Sequence, residues 1–189
     1  MKVSREQAAQ NRARVVETAA RLFREKGFDG IGVADLMQAA SLTHGGFYKH
    51  FESKEALLAE ACAGIMDEWT GNWRAAVEED PGKALAKLSG DYLSGEHRDR
   101  PGQGCAVAAL GADAARLGPA VREALGEGAL AQIAVLAEAV GDGTPEDRRR
   151  RAITAYAAMI GGIVLARAIH DPAASEEILA AVAQAVRAA

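Results

Sequence analysis

Residues 32–58 read G-V-A-D-L-M-Q-A-A-S-L-T-H-G-G-F-Y-K-H-F-E-S-K-E-A-L-L. Val33, Leu36, Met37, Ala39 and Ala40 recur at helical spacing and predict a short helix over 33–40. A tight turn separates it from a second short helix predicted over 44–50. Leu42, Phe47 and Phe51 continue the same apolar face. Two short helices joined this way form a helix-turn-helix unit. Packing then leaves Thr43, His44, Gly45, Gly46, Tyr48, Lys49 and His50 facing outward.

The chemistry of that outward edge suits a polyanion. A single helix fits the major groove of duplex DNA. Tyr48, Lys49 and His50 are donors for phosphates or base edges. Thr43 can cap the second helix and reach a phosphate, and the glycines let backbone approach closely. Ser53 is an N-cap candidate for a long helix reaching about Glu79. Lys54 stands at its start, where backbone N–H groups favour phosphate.

Outward from this stretch the chain reads as helices throughout. One is predicted over 6–26, ended by Gly27, which adopts positive φ freely. Asp80-Pro81-Gly82 breaks the chain and opens a helix to about Leu93. Residues 94–104 read as a polar loop. Further helices are predicted over 106–116, 119–140, 145–170 and 173–188, about nine in all, with almost no strand signal. Phe23, Phe28, Phe47, Tyr48 and Phe51 crowd the first 51 residues, as a small three-helix core requires. The expected fold is all-α, with a head over residues 1–52 and a larger helical domain over 53–189.

Net charge is −4, but it is unevenly spread. Residues 1–26 carry seven Lys/Arg and three Asp/Glu, whereas 57–189 carry thirteen and nineteen. A basic end on an acidic body points to one polyanion-binding end. Two cysteines make no secreted disulfide framework. The polar start is no signal peptide, and no uninterrupted apolar run reaches the roughly 18 residues of a membrane span. The expected address is the cytoplasm, with no membrane partner.

The segment Gly45-x-Phe47-Tyr48-x-His50-Phe51-x-Ser53-Lys54-x-x-Leu57 resembles the DNA-binding domain of the TetR (tetracycline repressor) family. The motif covers about 30 residues, the helix order over the whole chain agrees with it, and the match beyond Leu58 is weak. The resemblance implies backbone-phosphate contacts from Tyr48, His50 and Lys54, contacts from Thr43, His44 and Gly45 near the start of the recognition helix, and a phosphate or base-edge contact from Lys49. It also implies a dimer through the last two helices, a ligand pocket in the second domain, a double-stranded DNA operator, a small-molecule effector and, most often, repression. Three positions depart from the pattern. Ser41 stands where the family usually has Gly, Gly32 where a Ser/Thr cap is common, and Gly45-Gly46 weakens a short helix by about 1 kcal/mol per Gly.

In the second domain Trp69 and Trp73 lie four apart on one helix face. With Tyr92, Tyr156 and Met159 they are candidates to line an apolar pocket; plain core packing is the alternative. Cys105 follows a glycine-rich loop near a helix start, which makes it a candidate redox or electrophile sensor, with buried packing again the alternative. Ile153, Ala157, Ile160, Gly161, Val164, Leu165 and Ala168 form one apolar stripe, and Ile178, Leu179, Val182 and Val186 a second. Both are expected in a dimer contact. Arg148 to Arg151 read as a solvated helix start.

Enzyme signatures are missing: there is no Gly-x-Ser-x-Gly elbow and no P-loop. Gly126-x-Gly128-x-x-Ala131 mimics half of a dinucleotide fingerprint but falls inside a predicted helix. No catalytic residue, metal site or cofactor is expected. The sequence supports a DNA-binding regulator, with a helical small-molecule binder carrying a vestigial head, or an activator on the same scaffold, as alternatives. The effector and the operator sequence are not encoded in any motif.

Overall fold

The structure is a computed structural model describing residues 4–188. Lys2, counted above in the basic N-terminal stretch, lies outside the described residues. Helix α1 (Arg5–Lys26) is opened by Ser4, whose side chain accepts from the Gln7 N–H at 3.1 Å, and is closed by Gly27 at φ 75°. Helix α2 (Val33–Ala39) follows, then a 3-10 helix (His44–Lys49) where a short α-helix was expected. The Gly45-Gly46 pair explains the difference: two residues of poor α-propensity sit in a six-residue element.

The turn between α2 and the 3-10 helix runs through Ser41 at φ 57°, the one non-glycine residue with positive φ among those described. The backbone keeps the left-handed turn for which the family uses Gly, and a Cβ there costs about 1 kcal/mol.

Helix α3 (Lys54–Glu79) starts where Ser53 Oγ accepts from the Ala56 N–H at 2.9 Å. Next come α4 (Pro81–Tyr92), α5 (Gly95–Asp99), a 3-10 turn (Pro101–Gln103), α6 (Ala106–Ala114), α7 (Pro119–Ala139), α8 (Pro145–Ala168) and α9 (Pro172–Arg187). The stretch 94–104, expected as a loop, is therefore mostly helical. Ser94 caps α5 by accepting from the His97 N–H at 3.2 Å. This satisfies local backbone groups and turns His97 inward.

Two apolar cores share a spine. The first gathers Val15, Leu22, Phe23, Leu36, Met37, Phe47 and Phe51 with Leu57, Leu58 and Met66 of α3 and Val121 and Leu125 of α7. The second gathers Trp73, Leu88, Tyr92, Cys105, Leu136, Tyr156, Met159 and Ile163. Helices α3 and α7 each feed side chains into both. Their close approach depends on Gly128, where a Cβ would lie 2.4 Å from Met66 Cβ. Gly128 thus serves helix packing, within α7 as the sequence indicated. Glu55 ties the same two helices at the head end by accepting from the Gly118 N–H.

Helix α8 is long and apolar enough, by length and composition, to cross a bilayer. Its apolarity comes from two faces. Tyr156, Met159 and Ile163 enter the second core. Ile153, Ala157, Val164, Leu165 and Ala168 remain exposed, with Ile160 and Gly161 half-buried. The second expected stripe behaves differently: Leu179 and Val186 of α9 are buried within the chain's own core, and Ile178 and Val182 pack against it. The outer face of α9 instead carries Ala173, Ala180, Ala181 and Ala185.

Candidate functional site

The outward edge of the head is built on two aromatic anchors. Phe47 is fully buried and packs at a tilt against Phe51, 5.5 Å between ring centroids. Because Phe47 is held down, the next side chain is driven out, and Tyr48 is 68% exposed. Its ring meets Phe47 edge-on, which stiffens it without covering the hydroxyl. His44, Gly45 and Lys49 are exposed beside it, and His50 is half-buried against Phe51. Thr43 is exposed at the N-cap position, but its side chain makes no capping hydrogen bond; the turn is held instead by the Gly46 N–H donating to the Thr43 carbonyl at 2.9 Å.

Lys54 sits differently from the rest. Its ammonium donates to the Phe28 carbonyl and lies 4.2 Å from the centre of the Phe28 ring. Partial burial lowers its pKa. Lys54 therefore pins the α1–α2 connection to the start of α3, with further ammonium protons available to an outside acceptor. A clamp on the other side holds the head to the same helix: Arg12 of α1 pairs bidentately with Glu60 of α3 and lies 4.8 Å from the centre of the Phe51 ring.

Residues 15–61 match the family model described as bacterial regulatory proteins, tetR family. Over that stretch the chain is similar to the tetR family. The matched stretch runs from α1 to the first turns of α3, so it carries the whole helix-turn-helix. The transcriptional repressor DhaR of Mycobacterium sp. is 28% identical over 114 residues, 60% of this chain and 57% of that one. The repressor KstR2 of Rhodococcus jostii is 36% identical over 66 residues, covering 35% and 32%. The likeness thus spans about half, or less, of these relatives. Beyond the head the shared property is architecture. The crystal structure of reduced Escherichia coli NemR superposes with a TM-score of 0.80 over 94% of this chain and 95% of that one, at 22% identity.

The second-domain residues singled out from sequence come together. Trp73, Tyr92, Cys105, Tyr156 and Met159 all belong to the second core and are at most 5% exposed. Trp73 meets Tyr92 and Tyr156 edge-on, each at 6.1 Å. Trp69 is half-buried, 6.4 Å from Trp73 and 5.8 Å from Tyr92. It borders two clefts. One, between α1 and α3, also meets Arg24 and Glu68; the other, of about 330 Å³, is lined by Asp91, Ser94, Glu96, His97 and Arg100.

Sequence reading missed His97. Its ring lies 4.6 Å from Tyr92 and 5.2 Å from Trp69. Nδ1 is 2.6 Å from the Tyr92 carbonyl, and Nε2 accepts from the Cys105 N–H at 3.0 Å. A neutral ring with its proton on Nδ1 satisfies both bonds. Burial lowers the His97 pKa to about 4, assisted by the charges of Arg167 and Arg24. The spacing of Ser94 and His97, a cap and the third residue beyond it, was the available signal.

Two arginines connect this segment outward. Arg24 of α1 donates to the Gly104 carbonyl at 2.6 Å. Arg167 of α8 donates to the His97 carbonyl at 2.7 Å and the Arg98 carbonyl at 3.1 Å. Segment 94–105 is therefore bonded to the head, to α8 and to the inner core at once. Cys62 lies mid-α3, where burial pushes its thiol up to about 12. Of the four-arginine run, Arg150 pairs with Asp147, and Arg151 folds back to the Val140 carbonyl at 2.7 Å.

Proposed function

We propose that this chain is a cytoplasmic transcription regulator that binds duplex DNA as a homodimer, represses, and is released by a small-molecule or electrophile inducer. The observation that carries the reading is the pairing of buried Phe47 with exposed Tyr48, beside His44, Gly45 and Lys49. Large polar side chains on that edge have no packing role, and their donors match phosphates and base edges. Residues 1–52 are the proposed reader and 53–189 the proposed sensor and dimerisation domain.

The exposed apolar face of α8, with Ile153 at 44%, Val164 at 43% and Leu165 at 54% exposed, supports dimerisation through the last two helices. A dimer must hold two recognition helices about 34–36 Å apart to reach successive major grooves. An inducer in the second domain acts on that spacing through α3, which enters both cores, and through the Arg24–Gly104 bond.

The test is a gel shift with DNA from upstream of the chain's own gene, repeated at 50 and 200 mM salt. A regulator gives affinity that falls steeply with salt. Absence of any salt-dependent shift would remove the reading and leave a helical small-molecule binder.

A further inference from the structure

The joint between head and spine holds a cleft. It runs between α1 and α3 and has a volume of about 1180 Å³, room for a drug-sized molecule. Its floor is apolar, made by Val16 and Ala20 of α1 with Ala61, Ile65 and half-buried Trp69 of α3. An ion pair and a hydrogen bond bracket it. The Arg12–Glu60 pair ties α1 to α3 toward the start of both helices, and the Arg24–Gly104 bond ties α1 to the 101–103 turn farther along. Between them Gly64 leaves the α3 wall bare, since a Cβ there would meet nothing within 4 Å.

Charge selects the occupant. Arg12, Arg21 and Arg24 line the cleft with Glu17, Glu60 and Glu68, and Glu25 adjoins Gly102 at its edge. Three cations stand against four anions, which leaves one net negative charge. The cations are already engaged. Arg12 pairs with Glu60 and Arg21 with Glu25, while Arg24 donates to the Ala20 and Gly104 carbonyls. Glu17 and Glu68 make no hydrogen bond or ion pair among the described residues, and Arg24 reaches Glu68 only through space. One of these carboxylates lies on each wall. An anion would meet like charge there, and an uncharged ring would fit the floor but leave both carboxylates unanswered. A cation gains from the field of both and from the electron-rich face of an indole.

We infer that the α1–α3 cleft binds an organic monocation with an aromatic body, its ring on the apolar floor beside Trp69 and its charge drawn by the field of Glu17 and Glu68. This rests on the effector reading, names the effector's chemical class, and places it against the head itself, outside the second core.

The experiment uses the full chain without DNA. Binding of phenylbutylammonium, phenylbutanol and phenylbutyrate, alike in shape and different in charge, is measured by calorimetry at neutral pH and low salt. The wild type binds the cation about tenfold more tightly than the alcohol, and the acid most weakly. Replacing both carboxylates, Glu17→Gln with Glu68→Gln, lowers that preference at least about fivefold and retains the alcohol. Gly64→Leu fills the cleft and weakens the cation at least about tenfold. It melts no lower than wild type, because Leu is the better helix former and has open space around it. A wild type that binds none of the three, or does not prefer the cation, overturns the inference. So does a preference that survives in the double carboxylate variant, or cation binding untouched by Gly64→Leu. A dimer lost in Gly64→Leu but kept by wild type in sedimentation also overturns it, by making the cleft a contact between copies. If Gly64→Leu melts lower, the carboxylate variant decides alone. A gel shift on the same wild-type preparation separates the two readings. Operator binding with no cation preference defeats this inference alone, and a cation preference with no operator binding defeats the regulator reading alone.

Discussion

Tyr48 and Tyr92 each present a hydroxyl with no hydrogen-bond partner among the described residues, in opposite surroundings. Tyr48 is 68% exposed at the tip of the head, where water serves it. Tyr92 is 1% exposed in the second core, where no described residue hydrogen-bonds it. At the surface an unpaired donor costs little and can be offered to a large partner. In the core the same donor is expensive. Position in the fold, not the residue type, therefore decides what an unpaired hydroxyl costs.

The contrast is tested hardest through His97, the polar group of the inner region that is fully satisfied. Its folded pKa of about 4 lies below the unfolded value near 6.5. The unfolded chain then binds the extra proton, so stability is complete above pH 6.5 and is lost as pH falls toward 4. The size is about 3 kcal/mol. The shifted carboxylates Asp80, Asp99 and Asp147 titrate below 3.8, outside this window. Melting curves from pH 7.5 to 4.5 should fall for the wild type and flatten for His97→Gln. A wild-type curve level across that range would mean the imidazole is not held neutral.

The next effect falls on the spine joining the two regions. Gly128→Ala drives a Cβ into Met66, and the cost is about 2 kcal/mol because α3 and α7 must separate. Chemical denaturation should show both cores losing stability together. If only one weakened, the shared-spine description would fail.

A change at the exposed edge should do the reverse. Tyr48→Ala and Lys49→Ala should leave stability within about 0.5 kcal/mol. Each should weaken operator binding about tenfold, and Lys49→Ala should reduce the salt slope by about one. Lowered melting temperatures would show that these side chains serve the fold.

The smallest effect is in the turn. Ser41→Gly relieves the left-handed backbone at φ 57° and should add up to about 1 kcal/mol, or ~2–4 °C in melting temperature. An unchanged melting temperature would mean that the greater freedom of Gly in the unfolded chain offsets the relief.

Legibility followed the range of the interactions. The outward edge at 43–50 could be read because Phe47, Phe51 and Leu42 lie within a few residues of Tyr48 and Lys49, and the motif records that local alternation. The 3-10 geometry at 44–49 was half-visible in Gly45-Gly46. The exposed stripe of α8 could be read from its period, but the matching stripe on α9 could not, since apolar spacing does not say whether its partner is this chain or another. For Cys105 the sequence left a sensor thiol and a buried packing residue both open, and the fold buries it to 1% exposure beside His97.

What the residue order determined on its own was the all-helical course, the helix-turn-helix and the side chains that face outward from it, because capping, helical period and turn chemistry act over three to five residues. What tertiary structure decided was the meeting of Tyr92, His97, Cys105, Gln132 and Tyr156, drawn from four separate segments into one interior. Their unpaired donors and the low pKa of His97 arise from burial, and burial depends on neighbours that lie far away along the chain.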